Sequence, residues 1–184
     1  MRAALRRGVV LLLLIQYPQE APGFSTMLWR FWQPLHQEFP DLVHAYYREG
    51  GVYIHSKSKV IDDSWMMVGS PNVNYRSTTS DAELAAAVVD RAQVTSADGV
   101  TVGRSVLDWR LTLWEDATGI VAATWRNATV GEGLRLWAAA AARPSAKIGQ
   151  FVWEWGGASN VPAYEAWADE PAFIDLADPD GRCS

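Results

Sequence analysis

The 184-residue sequence contains one cysteine, Cys183, so no intrachain disulfide can form and thiolates cannot assemble a zinc cluster. No apolar run reaches the roughly 18 residues of a membrane-spanning helix. An excess of positive charge is missing too. The formal net charge is −5, the wrong sign for a protein that coats nucleic acid electrostatically. That acidity is local: between Gln150 and the C-terminus seven carboxylates face Arg182 alone, which leaves the first 149 residues near +1 and open to an anionic substrate. Repeats and low-complexity stretches are absent apart from the alanine run Ala138–Ala142, a plain helix former. What the chain has in quantity is apolar and aromatic, with 49% hydrophobic residues and 10 tryptophans. That is the composition of one globular domain with a substantial core.

At the N-terminus, Arg2, Arg6 and Arg7 precede the apolar run Gly8–Ile15 and imitate a signal peptide, but Gln16 to Glu20 offers no small-residue cleavage site. The preferred reading is a helix end over Ala3–Arg7, a break at Gly8, and a fully buried strand over Val9–Ile15. A buried strand needs neighbours on both sides, so the chain is expected to open in mid-domain. Ser25 can cap a helix over Thr26–Phe39 with Leu28, Phe31, Trp32 and Leu35 on one stripe. Strands are expected over Leu42–Arg48, Val52–Ile61, Trp65–Val68 and Glu83–Val89, with Asp62-Asp63-Ser64 as a turn. Helices are expected over Val102–Asp116 and Glu132–Ala142. Residues 1–144 thus form the α/β part, and 145–184 a Trp-rich acidic extension without clear periodicity.

The chemistry concentrates between Val52 and Asp90. In an extended strand His55 and Lys57 point to the same face, which sets an imidazole beside an ammonium. The first can be a nucleophile or a proton donor, and the second can neutralise a phosphate oxygen. Asp62 has the opposite parity and is expected to tie down the turn. Ser70 and Asn72 repeat the same-face logic as hydrogen-bond donors, and Gly69 lets the backbone come close. A nucleophile, a cation and neutral donors are what a phosphodiester needs as charge builds on its non-bridging oxygens. No carboxylate cluster or second histidine lies nearby, so metal-independent chemistry without a cofactor is expected.

The spacing His55-x-Lys57-x4-Asp62, then Gly69-Ser70-x-Asn72, resembles the signature of the phospholipase D superfamily. Arg76-Ser77 and Asp81-Ala82-Glu83-Leu84 are similar to the version in the second half of bacterial phospholipase D-like and cardiolipin synthase-like proteins. So is the helix containing Trp109-Arg110-Leu111-Thr112-Leu113-Trp114. The resemblance implies a mixed sheet flanked by helices in a single domain, truncated at its N-terminus if half of a longer chain. It also implies phosphoryl transfer through a phosphohistidine. One motif's histidine attacks phosphorus, and that of a second motif protonates the leaving alcohol. Carried over to this chain, His55 is nucleophile or acid, and Lys57 and Asn72 hold phosphate oxygens. Ser70 lines the pocket, Glu83 (or Asp81) orients an imidazole, and Asp62 supports the motif.

Family enzymes usually combine two such motifs, whereas this chain has one. His36 and His44 are followed two positions on by Glu38 and Tyr46, so neither begins a second. A homodimer partner or a second half is therefore expected to complete the site. The expected substrate is a phospholipid or another phosphodiester, without stable nucleic-acid binding. Trp153 and Trp155 alternate like a strand and offer a surface for peripheral membrane contact. The expected location is cytoplasmic or membrane-peripheral. Two rivals stand beside this reading: a single-motif nuclease, which would want a basic groove, and a catalytically incomplete half that binds phosphate or a partner chain.

Overall fold

A computed structural model describes residues 1–16, 32–72, 77 and 82–151. The first part of the expected 26–39 helix, Asp81, and the tail with Trp153 and Trp155 lie outside the described residues. The chain divides into two compact units, Met1–Arg48 with Gln150–Ser184, and Glu49–Gly149. No helix among the described residues is long and apolar enough to cross a membrane.

In the first unit, helix α1 (Arg2–Leu5) leads into strand β1 (Leu11–Leu14), then a helical segment α2 over 32–38 and strand β2 (Val43–Arg48). β1 and β2 pair in parallel, Leu11 opposite Val43 and Leu14 opposite Tyr46. A short strand β8 (Ile148–Gln150) lies where the chain passes from the second unit back to the first. Alternation along β1 puts Leu11 and Leu13 against the cluster of Leu5, Trp32, Leu35 and Val43. The expected strand over Val9–Ile15 is therefore present but shorter, and its leucines are half-buried rather than fully enclosed. Glu38 of α2 receives Arg2 of α1 (2.8 Å) and Arg6 just after it (3.0 Å), and these hydrogen-bonded guanidinium groups hold its carboxyl below the ordinary range.

Among its described residues the second unit contains two antiparallel sheets and, after them, three helices. β3 (Lys57–Ile61), β4 (Trp65–Gly69) and β5 (Ala85–Val88) form one sheet in that order, and β6 (Gln93–Thr95) and β7 (Thr101–Gly103) form a two-stranded hairpin. Then come α3 (Arg104–Thr118), α4 (Ala122–Arg126) and α5 (Val130–Ala141). The core behind them is aromatic. Trp114, Trp125 and Trp137 meet at centroid distances of 5.0, 5.8 and 6.4 Å, mostly edge to face, as ring quadrupoles prefer. Trp125 donates its indole N–H to the Ile120 carbonyl at 2.9 Å.

Helix α3 begins at Gly103, which has no side chain with which to cap it. The missing acceptor comes from Asp90, whose carboxylate takes the N–H of Ser105 at 2.7 Å and that of Ala92 at 2.8 Å. A Cβ at Gly103 would stand 3.2 Å from that of Asp90, so glycine makes room for the cap. The Ser105 N–H, the Ser105 hydroxyl and the Ala92 N–H together hold the Asp90 carboxyl below its ordinary 3.8. A carboxylate depressed by folding stabilises the fold above its unfolded value and loses that contribution as pH falls through the folded one. The melting temperature is therefore expected to fall on acidification from pH 5 to 3, and Asp90→Asn should flatten that part of the profile. A wild-type acid limb preserved in the variant would assign the loss to other groups.

Candidate active site

The β3–β4 hairpin does the assembling. Its register sets Lys57 opposite Gly69, Lys59 opposite Met67 and Ile61 opposite Trp65. The two pieces of the motif, separated along the chain, therefore meet at the open end of one hairpin: His55 and Lys57 enter β3 there, and Gly69, Ser70 and Asn72 leave β4 there. β5 joins from the other side, with Ala85 opposite Gly69, which brings Glu83 to the same end. Glu83 is half-buried, while His55, Ser70 and Asn72 are exposed and Lys57 is half-buried. All of these residues belong to the Glu49–Gly149 unit.

Strand β3 starts at Lys57 rather than at Val52, so His55 precedes the ladder and strand alternation does not set its direction. What joins the pair is a direct contact: the Lys57 ammonium donates to the His55 carbonyl at 2.7 Å. An ammonium has three donors, so two remain for an anion beside the imidazole. The His55 ring stacks on Tyr53, centroids 5.7 Å apart and planes at 24°.

The second half of the motif is held by close backbone approach. A Cβ at Gly69 would lie 2.5 Å from the Leu84 carbonyl oxygen and 2.7 Å from the Ala85 Cα, so only glycine lets β4 and β5 pair here. Ser70 extends the seam. Its N–H donates to the Leu84 carbonyl (2.9 Å), and its hydroxyl accepts the Leu84 N–H (2.9 Å). The hydroxyl expected to line the pocket thus also stitches the two strands together.

Asp62 stands apart. It occupies the hairpin turn, five residues along β3 from Lys57, or roughly 17 Å at strand rise. The sequence reading gave Asp62 a place in the turn and a supporting role in the motif, and the turn is where the structure places it. Asp62 and Asp63 both adopt left-handed backbone (φ 51° and 49°), and Ser64 N–H closes the turn on the Ile61 carbonyl at 3.0 Å. That φ sign suits the two central residues of the Ile61–Ser64 turn, and aspartate tolerates it.

Sequence reasoning missed the residue next door. Asp63 takes a two-pronged fork from Arg110 of α3, Nε to Oδ1 at 2.6 Å and Nη2 to Oδ2 at 2.8 Å. Both side chains are largely enclosed, at 18% and 12% exposure. The guanidinium also lies 4.2 Å over the Trp114 ring, and the Asp63 carbonyl accepts the Gly103 N–H at 2.9 Å. One residue before Arg110, Trp109 donates its indole N–H to the Ser58 hydroxyl at 3.1 Å. Helix α3 therefore grips β3 at both ends, beside Lys57 and at the turn. The legible signal was Arg110 and Trp114 four apart on a helix whose neighbours are apolar. Among the described residues no three of His, Cys, Asp and Glu gather closely enough to hold a metal ion.

The hairpin, the glycine seam and the flanking helices make this an α/β domain built around one His-x-Lys motif. Residues 1–99 match the family model described as "Cardiolipin synthase, PLD-like domain", and the chain belongs to that family. It is similar to Phospholipase D A of Dictyostelium discoideum, 36% identical over 76 residues, covering 38% of this chain and 6% of that protein. Phospholipase D gamma 2 of Arabidopsis thaliana is 31% identical over 72 residues (38% and 8%), and Phospholipase D alpha 3 of the same plant 29% over 65 (34% and 8%). The matched stretch spans less than a tenth of the length of these relatives.

Proposed function

We propose that this chain is a phosphodiesterase of the phospholipase D type, acting on phospholipid head groups at a site completed by a second His-x-Lys motif. The observation that supports this most is the hairpin register that gathers His55, Lys57, Ser70, Asn72 and Glu83 at one strand end. In the proposed reaction one imidazole nitrogen attacks phosphorus, a P–N bond forms, and the P–O bond to the leaving alcohol breaks. A second imidazole gives its proton to that alcohol. Water then attacks phosphorus, surrenders a proton to the second imidazole, and the P–N bond breaks. Lys57 and Asn72 hold the non-bridging oxygens as their charge grows, and Glu83 orients an imidazole. The second imidazole comes from another copy of the chain in a homodimer, or from another half. The proposed setting is the cytoplasm or the membrane surface.

Stereochemistry tests the reaction. Hydrolysis of a phosphodiester chiral at phosphorus should retain configuration, because two in-line displacements cancel, and inversion would remove the phosphohistidine. Sedimentation on the same preparation should show a dimer at micromolar concentration. An active strict monomer would remove the shared site, and an inactive monomer would favour the incomplete half.

A further inference from the structure

The backbone before β3 leaves the direction of the His55 ring to side-chain contacts. His55 precedes the first ladder residue, Lys57, so strand pairing does not aim its side chain. The Lys57 ammonium bonds to the His55 carbonyl rather than to the ring (2.7 Å). An unrestrained imidazole would spread over several staggered wells. Tyr53, two residues earlier, supplies a restraint: the two ring centroids lie 5.7 Å apart with the planes at 24°. Such a stack differs from a hydrogen bond in a way that matters for a nucleophile. It covers a ring face, whereas the lone pair and the N–H of an imidazole point outward in the ring plane. One nitrogen is thus left to meet phosphorus and the other to be held by a carboxylate. Core packing does not account for Tyr53. Its side chain is 60% exposed, while Trp125 and Trp137 of the same unit are buried.

We infer that Tyr53 is a positioning residue for His55, its ring face keeping the imidazole in the orientation from which it reacts. This inference rests on the proposed phosphodiester reaction and deepens it, because Tyr53 acts through His55 and need not touch the substrate. A contact that orients a reacting group lowers the barrier without adding to substrate affinity, so its loss should appear in kcat and not in KM. An aromatic pair of this kind is worth up to about tenfold.

Two measurements on the full chain test it. In proton NMR the His55 ring resonances, assigned by their disappearance in His55→Asn, are expected upfield of their unfolded-chain positions in the wild type and in Tyr53→Phe. In Tyr53→Leu they should return to those positions. With bis(p-nitrophenyl) phosphate as substrate, Tyr53→Leu should lower kcat about tenfold at unchanged KM and unchanged melting temperature. Tyr53→Phe, which keeps the ring face, should recover the rate. Wild-type resonances at their unfolded positions, or a wild-type kcat in Tyr53→Leu, would overturn the inference. Equal losses in the Phe and Leu variants would overturn it as well, by assigning the effect to the hydroxyl. Upfield resonances in a protein that cleaves no diester would support the positioned ring and remove the proposed reaction, so the two can fail separately.

Discussion

Asp63→Asn is expected to destabilise the protein by about 3 kcal/mol, whereas Asp62→Asn should stay within about 0.5 kcal/mol of wild type. The two residues are neighbours with the same left-handed backbone, and asparagine tolerates that backbone as aspartate does. The pair of variants therefore isolates the side-chain contact. Asp63 is enclosed against Arg110 and Asp62 is exposed. Removing one partner of an enclosed ion pair strands the other charge, which costs far more than losing a surface pair. At this chain length the Asp63 effect corresponds to a melting shift on the order of 10 °C. Adding Arg110→Met to Asp63→Asn should recover part of the loss, because the stranded guanidinium is then gone. Equal melting temperatures for the two single variants would refute the tether.

His55→Asn is expected to abolish diester turnover. Loss of positioned proton transfer alone accounts for about 10²–10⁴-fold, and loss of a nucleophile adds to it. The side chain is exposed, lies before the first strand residue and stacks its ring on Tyr53, so the melting temperature should hardly move. Those two readouts together separate chemistry from folding. Bis(p-nitrophenyl) phosphate hydrolysis at wild-type rate in the variant would mean that His55 takes no part.

The second half of the signature was legible because its demands are local. Glycine followed by a hydroxyl residue, at the end of an alternating strand, is what a close strand seam needs. The turn at Asp62-Asp63 was legible for a similar reason. The extended reading of Val52–Ser56 failed because strand alternation is only half of the requirement. Continuing the register would set His55 opposite Pro71, which has no N–H to offer a ladder. The N-terminus of α3 was hidden because its cap is supplied by Asp90, fifteen residues before Ser105. The start of α5 was not hidden. Thr129 and Glu132 form a reciprocal capping box that sets it at Val130, two residues before the expected start at Glu132. The short strands β6, β7 and β8, of three residues each, and the five-residue α4 fall below the length at which periodicity carries information.

The hairpin also turns motif spacing into a mechanical constraint. Lys57 and Gly69 face each other only because both arms have matched lengths around a fixed turn. Deleting one residue between Ser58 and Ile61 would turn Lys57 toward the side occupied by the α3 indole and shift His55 by one residue against the Gly69–Asn72 segment. Removing two residues from each arm would keep every side chain on its own side and shorten only the distance to the Arg110 anchor. Natural or engineered length changes in this segment should therefore come in matched, even-numbered steps.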